Sequence, residues 1–306
     1  MEKKYTENKY PVIGPWVAST IVTSKKNIVE KSYQDWLNYT LTFQGIISEE
    51  LANSWGAEKL IGSKFSCLEP ASGKNFQLRV VEYPINSNYE PLTTYGWNAA
   101  ELVVRDTDEL YKKLSNSPFK IIGKPADLKM TKQIRAMQIE GLGKEIFYLT
   151  MFKEKISKYD LPDAEADIDN MFIAVLATDN PEKVQNWYLE NFGIQKRAIT
   201  KTNISVLDRS FGFQMGTGAY GLTVIPLEGQ SLIEVDEYPE IAKIRSYPDQ
   251  ELPPGNAIMT LFVNSIEPLI PLGINSPVKV NLPPYNGARS LTVKGAANEL
   301  IEFIER

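Results

Sequence analysis

The residue types able to do chemistry in this chain are few, and one is missing altogether. Its 306 residues include no histidine and one cysteine, Cys67. Without imidazole there is no Ser-His-Asp or Cys-His catalysis, no HExxH metallohydrolase and no two-His iron site. One thiol excludes an intrachain disulfide and a cysteine zinc knuckle, so Cys67 reads as packing. What remains is carboxylates, phenols and guanidinium groups set in apolar, strand-like runs. Arg79 alternates with Leu78 and Val80, Tyr148 lies in EIFYLTMF, Glu234 in SLIEVDEYP and Glu302 in ELIEFIER. A guanidinium stays protonated and can grip a carboxylate or enolate, while a phenol can donate to a developing oxyanion. Two dry carboxyls facing one another would share a proton and leave one poised as a general base. Each residue also has a plainer reading. Arg79 could face water, Tyr148 could be an ordinary half-buried strand residue, and the glutamates could point at water or at Arg289.

The elements that must position these groups emerge from an internal repeat. RAMQIEGLGKEIFYLTMF from Arg135 aligns without a gap with RSLTVKGAANELIEFIER from Arg289, an offset of 154 that pairs Tyr148 with Glu302. In the same order, Asn98 pairs with Asn256, Gln34 and Trp36 with Gln185 and Trp187, and Glu82-Tyr83-Pro84 with Glu237-Tyr238-Pro239. Four matches in one order indicate a duplication. The charged stretch EKISKYDLPDAEAD between the copies reads as a linker, residues 154–167. Within each half a β-branched strand precedes an amphipathic helix, Val29 to Tyr39 in one copy and Pro181 to Asn191 in the other. Asp179-Asn180-Pro181 marks the start of the second of these. Further strands follow and the cycle restarts at Ala99, closing with hairpin strands joined by Gly141-Leu142-Gly143. The unit is βαβββ, used four times. Trp36 and Trp187, inside helices, read as core.

Composition narrows the partners. Lys+Arg 33 against Asp+Glu 38 leaves a net charge of −5, which argues against binding a phosphate backbone. With 43% apolar residues the chain is globular with ample core. No apolar run approaches the roughly 18 residues of a spanning helix, and the charged start lacks a signal-peptide apolar stretch, so cytoplasmic localisation is expected. Sequons at Asn38 and Asn203 carry no weight without secretion.

Four βαβββ modules, the DNPEKVQNWYLENFG opening of the third and the AANELIEFIE ending resemble the vicinal oxygen chelate superfamily, the glyoxalase, bleomycin-resistance and extradiol-dioxygenase fold. The resemblance covers nearly the whole chain and implies an α+β fold of four modules paired into two tandem barrels. They are expected at residues 10–153 and 168–306. In metal-using relatives each module offers a ligand position on its first and on its last strand. Carried over, the last-strand positions are Arg79, Tyr148, Glu234 and Glu302. The first-strand positions fall near Val17, near Met171 or Phe172, and at Asn98-Ala99 and Asn256-Ala257, although both asparagines could be turn residues. Trp97 would stand at a cup mouth. An arginine where a carboxylate would hold a cation implies no metal site in the N-terminal barrel, two glutamates without imidazole make a weak divalent site at best in the C-terminal one, and neither a bound transition metal nor any other cofactor is expected.

Two functions follow as expectations. One is a metal-independent isomerase, lyase or hydrolase acting on a small oxo or carboxylic compound. Arg79 and Tyr148 would be its catalytic pair, with Asn98, Trp97 and Val17 binding the substrate, and Glu234, Glu302 and Asn256 as secondary candidates. On this reading Arg79→Ala cuts activity without unfolding the protein, and Glu302→Gln matters little. The other is a non-catalytic protein that sequesters a small molecule. Either way the partner is a small molecule, not nucleic acid or membrane; a homodimer is left open.

Overall fold

The computed structural model describes residues 10–85, 88–129, 131–156 and 160–306. Residues 157–159 of the expected linker and the first nine residues lie outside that set.

Four modules follow one another. The first holds β1 (Ile13–Thr23), α1 (Lys26–Leu37), β2 (Tyr39–Ile46), α2 (Glu49–Trp55), β3 (Lys64–Pro70) and β4 (Gln77–Glu82). In the second are β5 (Gly96–Val104), α3 (Thr107–Leu114), β6 (Lys120–Leu128), β7 (Thr131–Glu140) and β8 (Ile146–Phe152). The third comprises β9 (Ile168–Thr178), α4 (Pro181–Phe192), β10 (Thr200–Thr202), α5 (Ser205–Ser210), β11 (Tyr220–Leu227) and β12 (Ser231–Glu237). The fourth has β13 (Asn256–Val263), β14 (Val278–Lys279), β15 (Arg289–Lys294) and β16 (Leu300–Glu305). Its expected helix is only a 3-10 turn, Glu267–Leu272, because Pro268 and Pro271 remove the amide donors an α-helix needs. Elsewhere the helix signals act locally. Asn180 accepts from the Lys183 amide at 3.0 Å with Pro181 in the first turn, and Asp106 caps the amides of Asp108 and Glu109.

The strands form two eight-stranded sheets, ordered β14-β15-β16-β13-β1-β4-β3-β2 and β10-β11-β12-β9-β5-β8-β7-β6. The first strands of two modules join antiparallel at the centre of each, β1 with β13 and β5 with β9. The expected pairing of neighbouring modules, first with second inside residues 10–153 and third with fourth inside 168–306, is therefore not the one formed. The first module closes a barrel with the fourth, the terminal barrel, and the second closes one with the third, the central barrel. Every module offers the same kind of edge, so the repeat leaves the partner undetermined. Charge discriminates: joining the third module to the fourth would set Glu234 and Glu302 in one dry cup, whereas the observed pairing gives Glu302 a guanidinium.

The segment entering β9 is tucked between the barrels. Asp169 is buried, accepts from Ser72 Oγ at 2.6 Å and lies 3.1 Å from Lys74 Nζ. The barrels share one large apolar cluster, where Trp16 and Trp97 meet edge to face at 5.9 Å. Each indole N–H crosses to the other barrel's last strand: Trp16 donates to the Leu232 carbonyl at 3.0 Å and Trp97 to that of Leu300 at 2.7 Å.

Candidate functional site

The four cup positions can be read from the register. In the terminal barrel Thr20 pairs with Arg79, and Thr260 with Glu302. In the central barrel the equivalent pairs are Val175 with Glu234 and Glu101 with Tyr148. Strand alternation then aims each set into its own cup.

The terminal cup is closed by its own side chains. Arg79 Nη2 meets Glu302 Oε2 at 2.6 Å, Nε donates to Thr20 Oγ1 at 2.8 Å, and Nη1 donates to the Tyr285 hydroxyl. Glu302 also accepts from the Trp55 indole at 2.7 Å, Tyr285 at 2.6 Å and Thr260 at 2.7 Å. Arg79 and Glu302 are 1% and 0% exposed. Burial pushes Glu302 up, but Arg79 and these donors outweigh it and hold the carboxyl below its ordinary range. Burial likewise pulls Arg79 down, and Glu302 more than restores its charge. The ion pair and the donors around it are all partnered, and the hydroxyl of Thr292, opposite Glu302, is left without one, so little remains to grip a substrate. Cys67 lines the same core, its thiol pushed up by burial to about 12, which makes it inert.

The central cup has the opposite character. Glu101, Glu234 and Asp236 project into it beside Tyr148 and Tyr238, and no arginine or lysine forms an ion pair with any of the three among the described residues. Asp236 is fully buried, yet neither carboxyl oxygen has a hydrogen-bond partner; the Tyr148 and Tyr238 hydroxyls are also unpartnered. Glu101 accepts from Thr150 Oγ1 at 2.5 Å. Glu101 and Tyr148 are buried, at 8% and 7% exposed, and Glu234 is half-buried. Burial pushes Glu101 to about 7, and burial with the charge of Glu101 does the same for Asp236; Glu234 rises well above its usual range for the same reasons plus Asp236. Desolvation, then Asp236, Glu234 and Glu101, hold the Tyr148 phenol protonated. Apolar walls come from Val103, Ile146, Ile173, Val175, Val206 and Leu207.

The expected site is thus divided. Arg79 and Val17 belong to the terminal barrel, whereas Tyr148, Trp97 and Asn98 sit on strands of the central one, so Arg79 and Tyr148 do not share a cup. Trp97 staples the barrels together. Asn98 is buried and donates to the carbonyls of Thr94 and Gly96, and Asn256 accepts from the Ile146 amide at 3.0 Å; both organise backbone. Of the secondary candidates, Glu302 neutralises Arg79, while Glu234 faces Tyr148 in the central cup. Glu101 and Asp236 were not singled out from the sequence. Their signal was present: an acid amid Ala99 and Val103, and a second acid two residues after Glu234 on the same strand face.

Three carboxyls suit a hard divalent cation in donor chemistry. Among the described residues, however, no three acidic groups converge as a cage, so the set does not fit the metal position implied by metal-using relatives.

No protein-family model and no curated protein matches the chain. Solved structures do. Glyoxalase I from Zea mays superimposes with a TM-score of 0.62 at 11% identity, over 95% of this chain and 92% of that one. A dioxygenase candidate from Bacillus subtilis superimposes with a TM-score of 0.59 at 9% identity, over 96% and 86%. No helix among the described residues is long and apolar enough to cross a membrane. Four modules of one strand order, two eight-stranded curled sheets and near-complete superposition lead to one conclusion: this chain has the vicinal oxygen chelate fold in its two-barrel form.

Proposed function

We propose that the central barrel is the working cup and that it catalyses metal-free proton transfer beside the carbonyl of a small oxo compound, as an isomerase or lyase does. The observation carrying this reading is Asp236, a fully buried carboxyl with two unpartnered oxygens, set among Glu101, Glu234 and Tyr148. A carboxyl with a pKa near the working pH is the form in which a general base abstracts a proton most effectively. Asp236, at about 7, takes that role. Tyr148, kept protonated, donates a hydrogen bond to the enolate oxygen as charge develops, while the charge of Glu101 strengthens Asp236 as a base. With three acids and no paired cation, the cup disfavours a carboxylate substrate and favours an uncharged one. That narrows the sequence expectation to its oxo branch and moves it to the other barrel.

The test is solvent-deuterium exchange. Methylglyoxal, dihydroxyacetone and cyclohexane-1,2-dione are incubated with the protein in D2O, and the carbon next to the carbonyl is followed by NMR. Protein-dependent exchange that Asp236→Asn abolishes supports the reading. Tight binding of such compounds without exchange, unaffected by Asp236→Asn, would favour sequestration instead.

A further inference from the structure

A second buried guanidinium, outside both cups, has no acid to neutralise it. Arg245 is 9% exposed. Its Nε donates to Thr94 Oγ1 at 2.9 Å and its Nη1 to the Asn256 carbonyl at 3.1 Å, while its carbon lies 4.8 Å from the centre of the Tyr89 ring. Nη2 has no acceptor and is itself closed off from solvent, so a partner reaches it only when the rim beside it moves aside, and among the described residues no carboxylate pairs with Arg245. Arg79, the comparable buried arginine, has Glu302 at 2.6 Å. A guanidinium cannot escape this situation by losing its proton, and an unpaired buried charge is costly. The missing partner is an anion.

Arg245 forms part of the wall of a cleft of about 620 Å3 between the barrels. Trp55, Trp97, Tyr95 and Tyr247 line the same cleft, and Lys294 adds a second cation to it. Three acids also stand on the wall: Glu251 is held by Lys59 at 3.2 Å, Glu299 accepts from the Ala297 amide at 2.8 Å with one oxygen and leaves the other unpartnered, and Asp249 lies exposed at the rim. Lys243 is bridged to Thr94, but residues 244–250 beyond it form no helix or strand and Ile244, Ser246 and Asp249 are exposed, so this part of the rim has fewer restraints than the barrel strands. Aromatic walls with one uncompensated guanidinium select a flat apolar body that carries a small oxyanion.

We propose that this inter-barrel cleft binds a small aromatic carboxylate, its carboxylate paired with Arg245 Nη2 and its ring held against the tryptophan and tyrosine walls. This site is separate from the acidic cup, so either reading can fail without the other.

The test uses phenylacetate, phenyl phosphate and 2-phenylethylamine, titrated while tryptophan fluorescence and melting temperature are followed. Phenylacetate should quench the fluorescence and raise the melting temperature, binding at least 10-fold more tightly than the amine. Arg245→Gln should weaken it at least 10-fold. If that variant does not fold, Tyr247→Ala, a half-buried wall residue, should weaken binding several-fold. The proposal is overturned if the amine binds as tightly as the acid, if phenyl phosphate binds in its place, or if a folded Arg245→Gln retains full affinity.

Discussion

The two cups occupy equivalent places in one fold and solve the problem of buried polarity in opposite ways. In the terminal barrel, arginine and glutamate at the last-strand positions neutralise one another, and Thr20, Thr260, Trp55 and Tyr285 satisfy what remains. In the central barrel the corresponding places hold Glu234 and Tyr148, and acids accumulate with no cation beside them. A completed network rigidifies a core, whereas an incomplete one keeps free energy available for a ligand. The contrast teaches that a charged residue at a functional position of a fold is no evidence of function until its partner is known. Arg79 looked like the more chemical residue and proves to be the structural one.

The comparison can be broken most forcefully at the ion pair. Arg79→Ala leaves Glu302 buried without its counter-charge and should destabilise the protein by about 3–5 kcal/mol in urea denaturation. Arg79→Met combined with Glu302→Leu should recover most of that loss. A stable Arg79→Ala protein that had lost activity would make the terminal cup the working one. Asp236→Asn tests the other side. It removes no hydrogen bond seen in the fold, so the melting temperature should hold or rise, while exchange activity falls by about 10²–10⁴-fold.

Titration sharpens the same contrast. Glu101, Asp236, Glu145 and Glu299 are each raised by burial to about 7 in the folded chain, above their unfolded values. The folded state therefore binds protons that the unfolded state has released. Stability from these groups is complete below the ordinary carboxylate range and is lost as pH rises through about 7. The melting temperature should fall on the order of 5 °C from pH 5 to pH 8, and less in Asp236→Asn. Glu302, held low, has the reverse sign, and its contribution is lost only as the solution becomes strongly acidic. A melting temperature that rose from pH 5 to pH 8 would contradict the neutral acid cluster. The smallest effect is expected where the barrels behave alike. Trp16→Phe and Trp97→Phe each remove one cross-barrel hydrogen bond, and each should cost about 1 kcal/mol by denaturant midpoint.

Much of the architecture was legible because it is periodic and local. The strand runs, the capping at Asn180 and Asp106 and the Glu-Tyr-Pro strand endings depend on neighbours within a few residues, and the 154-residue repeat is a periodicity of the same local patterns. The fourth module's missing helix is written in Pro268 and Pro271, against the pattern of the repeat. Of the four polar residues that meet in the central cup, the alignment reaches Tyr148 and Glu234, while Glu101 and Asp236 read as ordinary strand residues. Nothing within a strand reveals that three acids from β5 and β12 face a common interior.

The sequence by itself determined the module, its fourfold use and the absence of imidazole chemistry, because secondary structure follows from spacing and chemistry from residue type. Only the tertiary structure decided which modules pair. The choice is made by contacts between residues more than 200 positions apart, as with Arg79 and Glu302, and four similar edges leave it open in one dimension. That pairing neutralised Arg79 and left the acids of the central cup without a partner.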